Sequence, residues 1–251
     1  MNPLIAIPSP RTIPQVVDAL RQVNKEYDLL WLKHMPEYLA YQSMRKQFLD
    51  NKDNYTHLVI CPDDLLIQKD KLQILLDDYD KCLDPNELDN TIMSGYCNVD
   101  RGAFAYFANV SVDNVSSFRS NRTYNWLTLE DLRYRKWLYD NHPNTNNHKK
   151  KYLIKVKFAG FPLFVIPLNI VEQIPFRNDS PTGEFDSCGC CVDVMFCHDA
   201  LEKGYQIYVD SRVGLNHLKI SDQETSKSLK DLPLQQPHLF YEYAEKKIMV
   251  N

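Results

Sequence analysis

The chain has 251 residues, 44% apolar and 25% charged, the balance of an ordinary globular protein long enough to bury a sizeable core. A formal charge of −4 leaves no basic footprint for nucleic acid, and no apolar run approaches the ~20 residues that span a bilayer. Residues 1–8 carry no positively charged leader, so the expected location is cytoplasmic.

Residues 4–7 are a short apolar run and read as a buried strand, with Pro8-Ser9-Pro10-Arg11 as the loop at its carboxyl end. A helix starts at Thr12 or Ile13, with Pro14 in its first turn and Val16, Val17, Leu20 and Val23 as its apolar positions. Residues 27–32 are a second strand, 37–50 a second helix, and Asn51-Lys52-Asp53-Asn54 a turn.

The most informative stretch follows. Leu58-Val59-Ile60-Cys61-Pro62 reads as a strand buried on both faces, as in a parallel sheet, and it ends abruptly in Asp63-Asp64. Ligands of such sheets sit at the carboxyl ends of the strands. Two adjacent carboxylates resist joint ionisation unless a cation sits beside them, and the simplest cation there is a divalent metal serving a phosphorylated substrate. The competing reading is that one Asp caps the next helix. That helix spans 69–79, with Leu72, Leu75 and Leu76 on one face, and a strand at 91–96 follows it.

The alternation of strands and helices predicts an α/β fold, a mostly parallel sheet with helices on both faces. Between 100 and 152 it breaks down into a polar and aromatic stretch carrying Phe104, Tyr106, Phe107, Phe118, Tyr124, Trp126, Tyr134, Trp137 and Tyr139. Packing accounts for most of these rings; carbohydrate contact is the alternative. Residues 141–151 are polar and basic and read as a loop. Order returns at 155–158, Gly160-Phe161-Pro162, a strand at 163–166 and a short helix from Leu168. Residues 187–204 read as a helix with Gly204 as its C-terminal glycine, then come strands at 205–210 and 213–217, the last ending on His217. The tail beyond 220 is polar, with a helix at its end.

The seven cysteines read as reduced thiols. Cys188, Cys190, Cys191, Cys197 and His198 offer soft ligands for a structural zinc, but a second pair at the right spacing is missing, so buried thiols packing as small hydrophobes fit better. Four Asn-x-Ser/Thr sequons, at Asn109, Asn114, Asn121 and Asn178, read as chance matches.

In this order the features resemble a GT-A fold glycosyltransferase of the family 2-like, nucleotide-sugar-dependent kind. Four pieces carry the resemblance: the first strand with Ile7-Pro8-Ser9; Pro62-Asp63-Asp64 with Lys69-Asp70-Lys71-Leu72, similar to the DxD region; Cys191-Val192-Asp193-Val194-Met195-Phe196-Cys197 with Gly204-Tyr205, similar to the helix that bears the catalytic base; and Asp210-Ser211-Arg212-Val213 leading to His217. Pro62 stands where that family has the first acid, so Asp64 aligns with the second, and Val192 and Met195 replace other acids of the base motif.

The resemblance implies a single GT-A, Rossmann-like domain: 1–99 as the nucleotide-sugar-binding half, 100–219 as the acceptor and catalytic half, and 220–251 as a tail with a helix. It implies a hexosyl- or deoxyhexosyltransferase moving sugar from a nucleotide-diphosphate sugar donor to a hydroxyl acceptor such as a glycan, with inversion, retention staying open. Mn²⁺ (or Mg²⁺) would be held by Asp64 and His217, the imidazole favouring manganese. Asp193 would be the general base, with Glu184 and Asp186 in reserve. Pro8, Ser9 and Asp63 would line the nucleotide site, and Arg11 and Arg45 would contact the diphosphate, for which a guanidinium is suited. The acceptor would lie among the aromatics of 104–139 and around Gly160-Phe161. Two alternatives stand beside this one: a non-catalytic nucleotide-binding domain of the same fold, and a nucleotidyltransferase, against which the glycine-free segment 8–11 counts.

Overall fold

The computed structural model describes residues 1–9, 13–33, 35–99, 107–112, 126–141, 150–179 and 192–218. In chain order the elements are β1 (Pro3–Ser9), α1 (Pro14–Val23), β2 (Asp28–Lys33), α2 (Glu37–Asp50), β3 (His57–Ile60), β4 (Leu65–Leu66) and α3 (Lys69–Cys82). After a single 3-10 turn at Leu88–Asn90 come β5 (Thr91–Val99), β6 (Phe107–Ser111), β7 (Trp126–Thr128), α4 (Leu129–Asn141), β8 (Leu153–Val156) and β9 (Phe158–Ala159). The last elements are β10 (Phe164–Pro167), α5 (Leu168–Gln173), α6 (Val192–Glu202) and β11 (Gln206–His217).

The uninterrupted apolar strands are buried on both faces, as their sequences require. Along β1 and β3 alternate residues feed two cores: Leu4, Ala6, Leu58 and Ile60 pack with residues of α2, α5 and α6, whereas Ile5, Ile7 and Val59 pack with residues of α1 and α3. The first core also takes Phe161, Val194 and Val209, so side chains from residue 4 to residue 209 share one apolar cluster. The fold is therefore mixed α/β, with a sheet covered on both sides.

The main sheet runs β2-β1-β3-β10-β5-β11-β4. β1 is parallel to both β2 and β3, and β5 is parallel to β11, but β10 runs antiparallel between β3 and β5. Hydrophobicity alone does not encode that reversal, and the sequence expectation of a mostly parallel sheet holds only in this mixed form. Because β10 reverses once on each side, β1, β2, β3, β5 and β11 all point their carboxyl ends to the same edge. The two strands expected at 205–210 and 213–217 are one continuous strand, β11, whose pairing with β5 shifts register between Val209 and Gly214. Gly204 ends α6 at φ 84° and its N–H reaches Leu201 O at 2.9 Å, the expected glycine C-cap. α4 opens on a capping box, with Thr128 and Asp131 exchanging bonds of 2.7–3.0 Å. The tail 220–251, with its expected helix, lies outside the described residues.

One ion cluster ties α3 to β11. The Arg212 guanidinium pairs with Asp78 of α3 and, at 3.0–3.2 Å, with the fully buried Asp210 on its own strand, while it stacks 4.0 Å from the Tyr152 ring. Lys71 adds a bond of 2.8 Å to the Arg212 carbonyl. Removing Arg212 would leave the buried Asp210 carboxyl, already pushed up to about 7 by burial, without its cationic partner, so Arg212→Leu is expected to cost about 1–3 kcal/mol in urea unfolding at pH 7. A loss below about 0.5 kcal/mol would mean a solvated pair of the ordinary surface kind.

Where β3 begins, His57 sits edge-on to the Tyr79 ring at 4.9 Å, and burial, with the nearby N-terminal ammonium, holds its imidazole down at about 4 against 6.5 for the free residue. On acidification the unfolded chain takes up this proton first. The contribution is complete above about pH 6.5 and is lost as the pH falls towards 4, a drop on the order of 3 kcal/mol. His57→Gln is expected to remove that share of the acid sensitivity in denaturation curves taken between pH 7 and 4. Identical curves for variant and parent would contradict a buried neutral imidazole.

Candidate active site

The shared carboxyl edge collects the polar residues that the apolar strands cannot contain. β3 ends at Ile60, and the chain turns through Pro62-Asp63-Asp64, closed by a 3.4 Å bond from Leu65 N to Pro62 O. β4 then pairs antiparallel with the end of β11, Leu65 opposite His217. This fold-back lays Asp64 on His217. The imidazole Nε2 lies 3.1 Å from Asp64 Oδ2, the two residues 153 positions apart, and the Leu218 N–H donates to Asp64 O at 2.7 Å. Both side chains keep some solvent access, 18% for Asp64 and 23% for His217. Asp63 is different: at 3% exposure it is the inner acid of the pair.

Asp193 occupies the first turn of α6, the helix that leads into β11, so the helix start lies at this same edge. Its Oδ1 accepts from Val194 N at 2.8 Å, yet burial dominates and pushes the carboxyl up to about 7. Nothing in the sequence marks the group that feels both acidic sites. Tyr41, on the buried face of α2, has its phenol pushed well up, first by burial and then by the charges of Glu37, Asp193, Asp64 and Asp63. The charges of Asp63, Asp64 and Asp193 therefore all reach one buried phenol. In sequence Tyr41 shows only the helical spacing of a core residue beside Ala40, Met44 and Phe48.

The wall next to Asp193 is the segment 160–163. Phe161 and Leu163 both take left-handed backbone, φ 53° and 52°, a strained state for residues with a Cβ. Contacts hold it there: Phe161 packs against the rings of Tyr41 at 5.5 Å, Phe164 at 4.9 Å and Phe196 at 5.8 Å, and Pro162 O accepts from Gly95 N at 3.0 Å.

The other sequence candidates divide. Pro8 and Ser9 are the last residues of β1, paired with Leu32 and Lys33, and so lie on the acidic edge. Arg11, Glu184 and Asp186 lie outside the described residues. Arg45 requires a correction: its Nε and Nη2 donate to Val171 O and Glu172 O, each at 2.9 Å. α5 follows the end of β10, which pairs with His57 at the start of β3, so Arg45 caps a helix at the opposite edge and is not a diphosphate contact. The zinc reading finds no shared geometry in its described half. Cys197 is buried with its thiol on Ala159 O, whereas His198 pairs with Asp199 at 3.3 Å; Cys188, Cys190 and Cys191 lie outside the described residues.

Among the described residues no group of three His, Cys, Asp or Glu side chains is arranged to hold a metal, and no helix is long and apolar enough to cross a membrane. Asn109 and Asn178 are 5% and 2% exposed, which takes both sequons out of reach of modification; Asn114 and Asn121 lie outside the described residues. Of the aromatics, Trp126 packs edge-on against Phe158 at 5.6 Å, while Tyr134 and Trp137 are 58% and 50% exposed and stack on each other. Phe104, Tyr106, Phe118 and Tyr124, like most of the expected loop 141–151, lie outside the described residues.

No protein-family model matches the chain, and no curated protein is similar to it. Among solved structures 41 chains match. One of them, the crystal structure of A197 from STIV, aligns with a TM-score of 0.51 over 89% of this chain and 87% of that one, at 16% identity. The likeness is one of fold. It supports the α/β architecture and leaves the chemistry to the site itself.

The Arg45 assignment is directly testable. Loss of two bonds to helix-end carbonyls predicts that Arg45→Met lowers stability by about 1–2 kcal/mol in thermal or urea unfolding. A phosphate-binding arginine held on an acid-free surface would instead leave stability unchanged or raise it.

Proposed function

We propose that the protein is a GT-A-like glycosyltransferase that uses a divalent metal and a nucleotide-diphosphate sugar. The observation that carries this reading is the approach of Asp64 and His217 from distant parts of the chain to 3.1 Å at the carboxyl edge of the sheet. An oxygen and an imidazole nitrogen are a donor set suited to Mn²⁺, with Mg²⁺ the harder alternative. Two protein ligands suffice where diphosphate oxygens and water take the remaining positions. When bound, the metal would act as a Lewis acid towards the charge that gathers on the departing diphosphate.

The residues of the chain supply the rest. The end of β1, Pro8-Ser9, borders the donor side. Asp193 takes the proton of the acceptor hydroxyl as that oxygen attacks, and a carboxyl near 7 suits a base working close to neutral pH. Phe161, one residue beyond Gly160, packs against the Tyr41 ring at 5.5 Å and would keep that side of the base apolar. Attack assisted by a base on the face opposite the diphosphate corresponds to inversion, and the acceptor is a glycan or other hydroxyl compound. A second reading, a nucleotide-binding domain without catalysis, is favoured by one feature: with Pro62 in place of an acid and Asp63 at 3% exposure, Asp64 is the one open carboxylate of the turn.

Calorimetry separates the two. With Mn²⁺ present, one of UDP, GDP, CDP, ADP or dTDP is expected to bind, and Asp64→Asn or His217→Gln to weaken that binding at least about tenfold. Asp193→Asn should keep the binding and abolish sugar transfer, and transfer by the parent should rise as the pH passes about 7, where the base loses its proton. Binding without transfer to any acceptor supports the second reading, and no metal-dependent binding at all removes the transferase reading.

A further inference from the structure

Asn109 sits on β6 at 5% exposure, and its hydrogen bonds close a clamp around one peptide. Its Oδ1 accepts from Cys97 N at 3.0 Å, which ties it to β5. Its Nδ2 donates to Gly160 O at 3.0 Å, and its own carbonyl accepts from Gly160 N at 3.0 Å. Gly160 is thus held through both its N–H and its C=O by a single residue 51 positions earlier.

The glycine is required by what lies beyond it. A Cβ at residue 160 would stand 2.8 Å from Asn109 Nδ2 and 3.3 Å from Asp193 Oδ2. The bare Cα is therefore a spacer between the clamp and the carboxylate. The other carboxylate oxygen is already engaged with the Val194 N–H at 2.8 Å, so Gly160 bounds the oxygen that remains. Directly after it come the left-handed Phe161 and Leu163, backbone strain of the kind that gathers at functional sites and persists only where neighbours dictate it.

We propose that Asn109 is a positioning residue for Asp193: by fixing the Gly160 peptide it closes one side of the carboxylate pocket and presents Oδ2 to the acceptor hydroxyl. The inference rests on the reading of Asp193 as the base. Misplacement of such a group by an ångström is enough to slow a reaction by orders of magnitude. Among the described residues the titratable groups coupled to Asp193 are Tyr41 from α2 and Cys197 one turn further along α6, while β6 and the 160–163 segment contribute the uncharged Asn109 and Gly160.

Two variants break the contact from opposite sides, and carbon-13 NMR of aspartate-labelled protein reads the result without a substrate, Asp193→Asn identifying the resonance. Asn109→Ala frees the Gly160 peptide and admits water, so the Asp193 midpoint is expected to fall by about one pH unit. Gly160→Ala crowds Oδ2 with a methyl group and should raise it by about half a unit or more. In transfer assays with UDP-, GDP- and dTDP-sugars and Mn²⁺, both should lower kcat about tenfold or more while leaving the donor KM within about twofold. Folded variants with the parental Asp193 midpoint overturn the proposal, including the case in which only the melting temperature falls. If Asn109→Ala does not fold, the sign of the Gly160→Ala shift decides. Undiminished transfer by Asp193→Asn would instead overturn the base assignment, and the titration would still report whether Asn109 sets the carboxylate.

Discussion

The burial of β3 on both faces is the constraint from which the site follows. Leu58, Val59 and Ile60 are wholly enclosed, alternating between two cores, with β1 on one side and β10 on the other. A one-residue slip would swap every side chain between the two cores and, in one sense, bring the His57 imidazole to the wholly enclosed place of Leu58, undoing the packing of both faces at once. The strand therefore has one register, and that register delivers Asp63-Asp64 to the sheet edge. The immediate fold-back into β4 uses the end of β11 as its partner, which places His217 on Asp64.

The rest of the molecule reads as reinforcement of that edge. The Asp78–Arg212–Asp210 cluster fastens α3, which follows the acidic turn, to β11, which ends on His217. On the other core, the stacked rings of Phe176 and Phe196, with centroids 4.7 Å apart, brace α6 and with it Asp193. Bidentate bonds of 2.8 Å from Arg177 to Asp199 hold the segment before residue 180 against the same helix. Asp193 thus sits on a helix and His217 on a strand, while Asp64 sits on a tight turn held to the end of that strand by the Leu218 N–H, as precise positioning requires.

How much of this was legible in the sequence depends on the kind of signal. β1, β3 and β5 and helices α1, α2 and α3 announce themselves through apolar period and turn residues, and the acidic end of β3 is visible because it interrupts an apolar run. The antiparallel insertion of β10 was not legible, because FVIP reads the same in either direction and only its neighbours in space set its sense. The misreading of Arg45 has a similar origin: a guanidinium suits phosphate and helix-end carbonyls alike, and the partner that decides lies more than 120 residues away. Tyr41 and Asn109 were hidden for a different reason. Each looks locally like what it is not, a plain core aromatic and a sequon, and each takes its meaning from contacts made by the folded chain.

The proposed metal site joins Asp64 and His217 beside a nucleotide diphosphate. Crystals soaked with Mn²⁺ and the diphosphate that binds in solution, with anomalous data at the manganese edge, test it most directly. A single manganese peak is expected within about 2.5 Å of both Asp64 and His217 and beside the diphosphate. A manganese bound elsewhere, further than about 3 Å from both side chains, would contradict it.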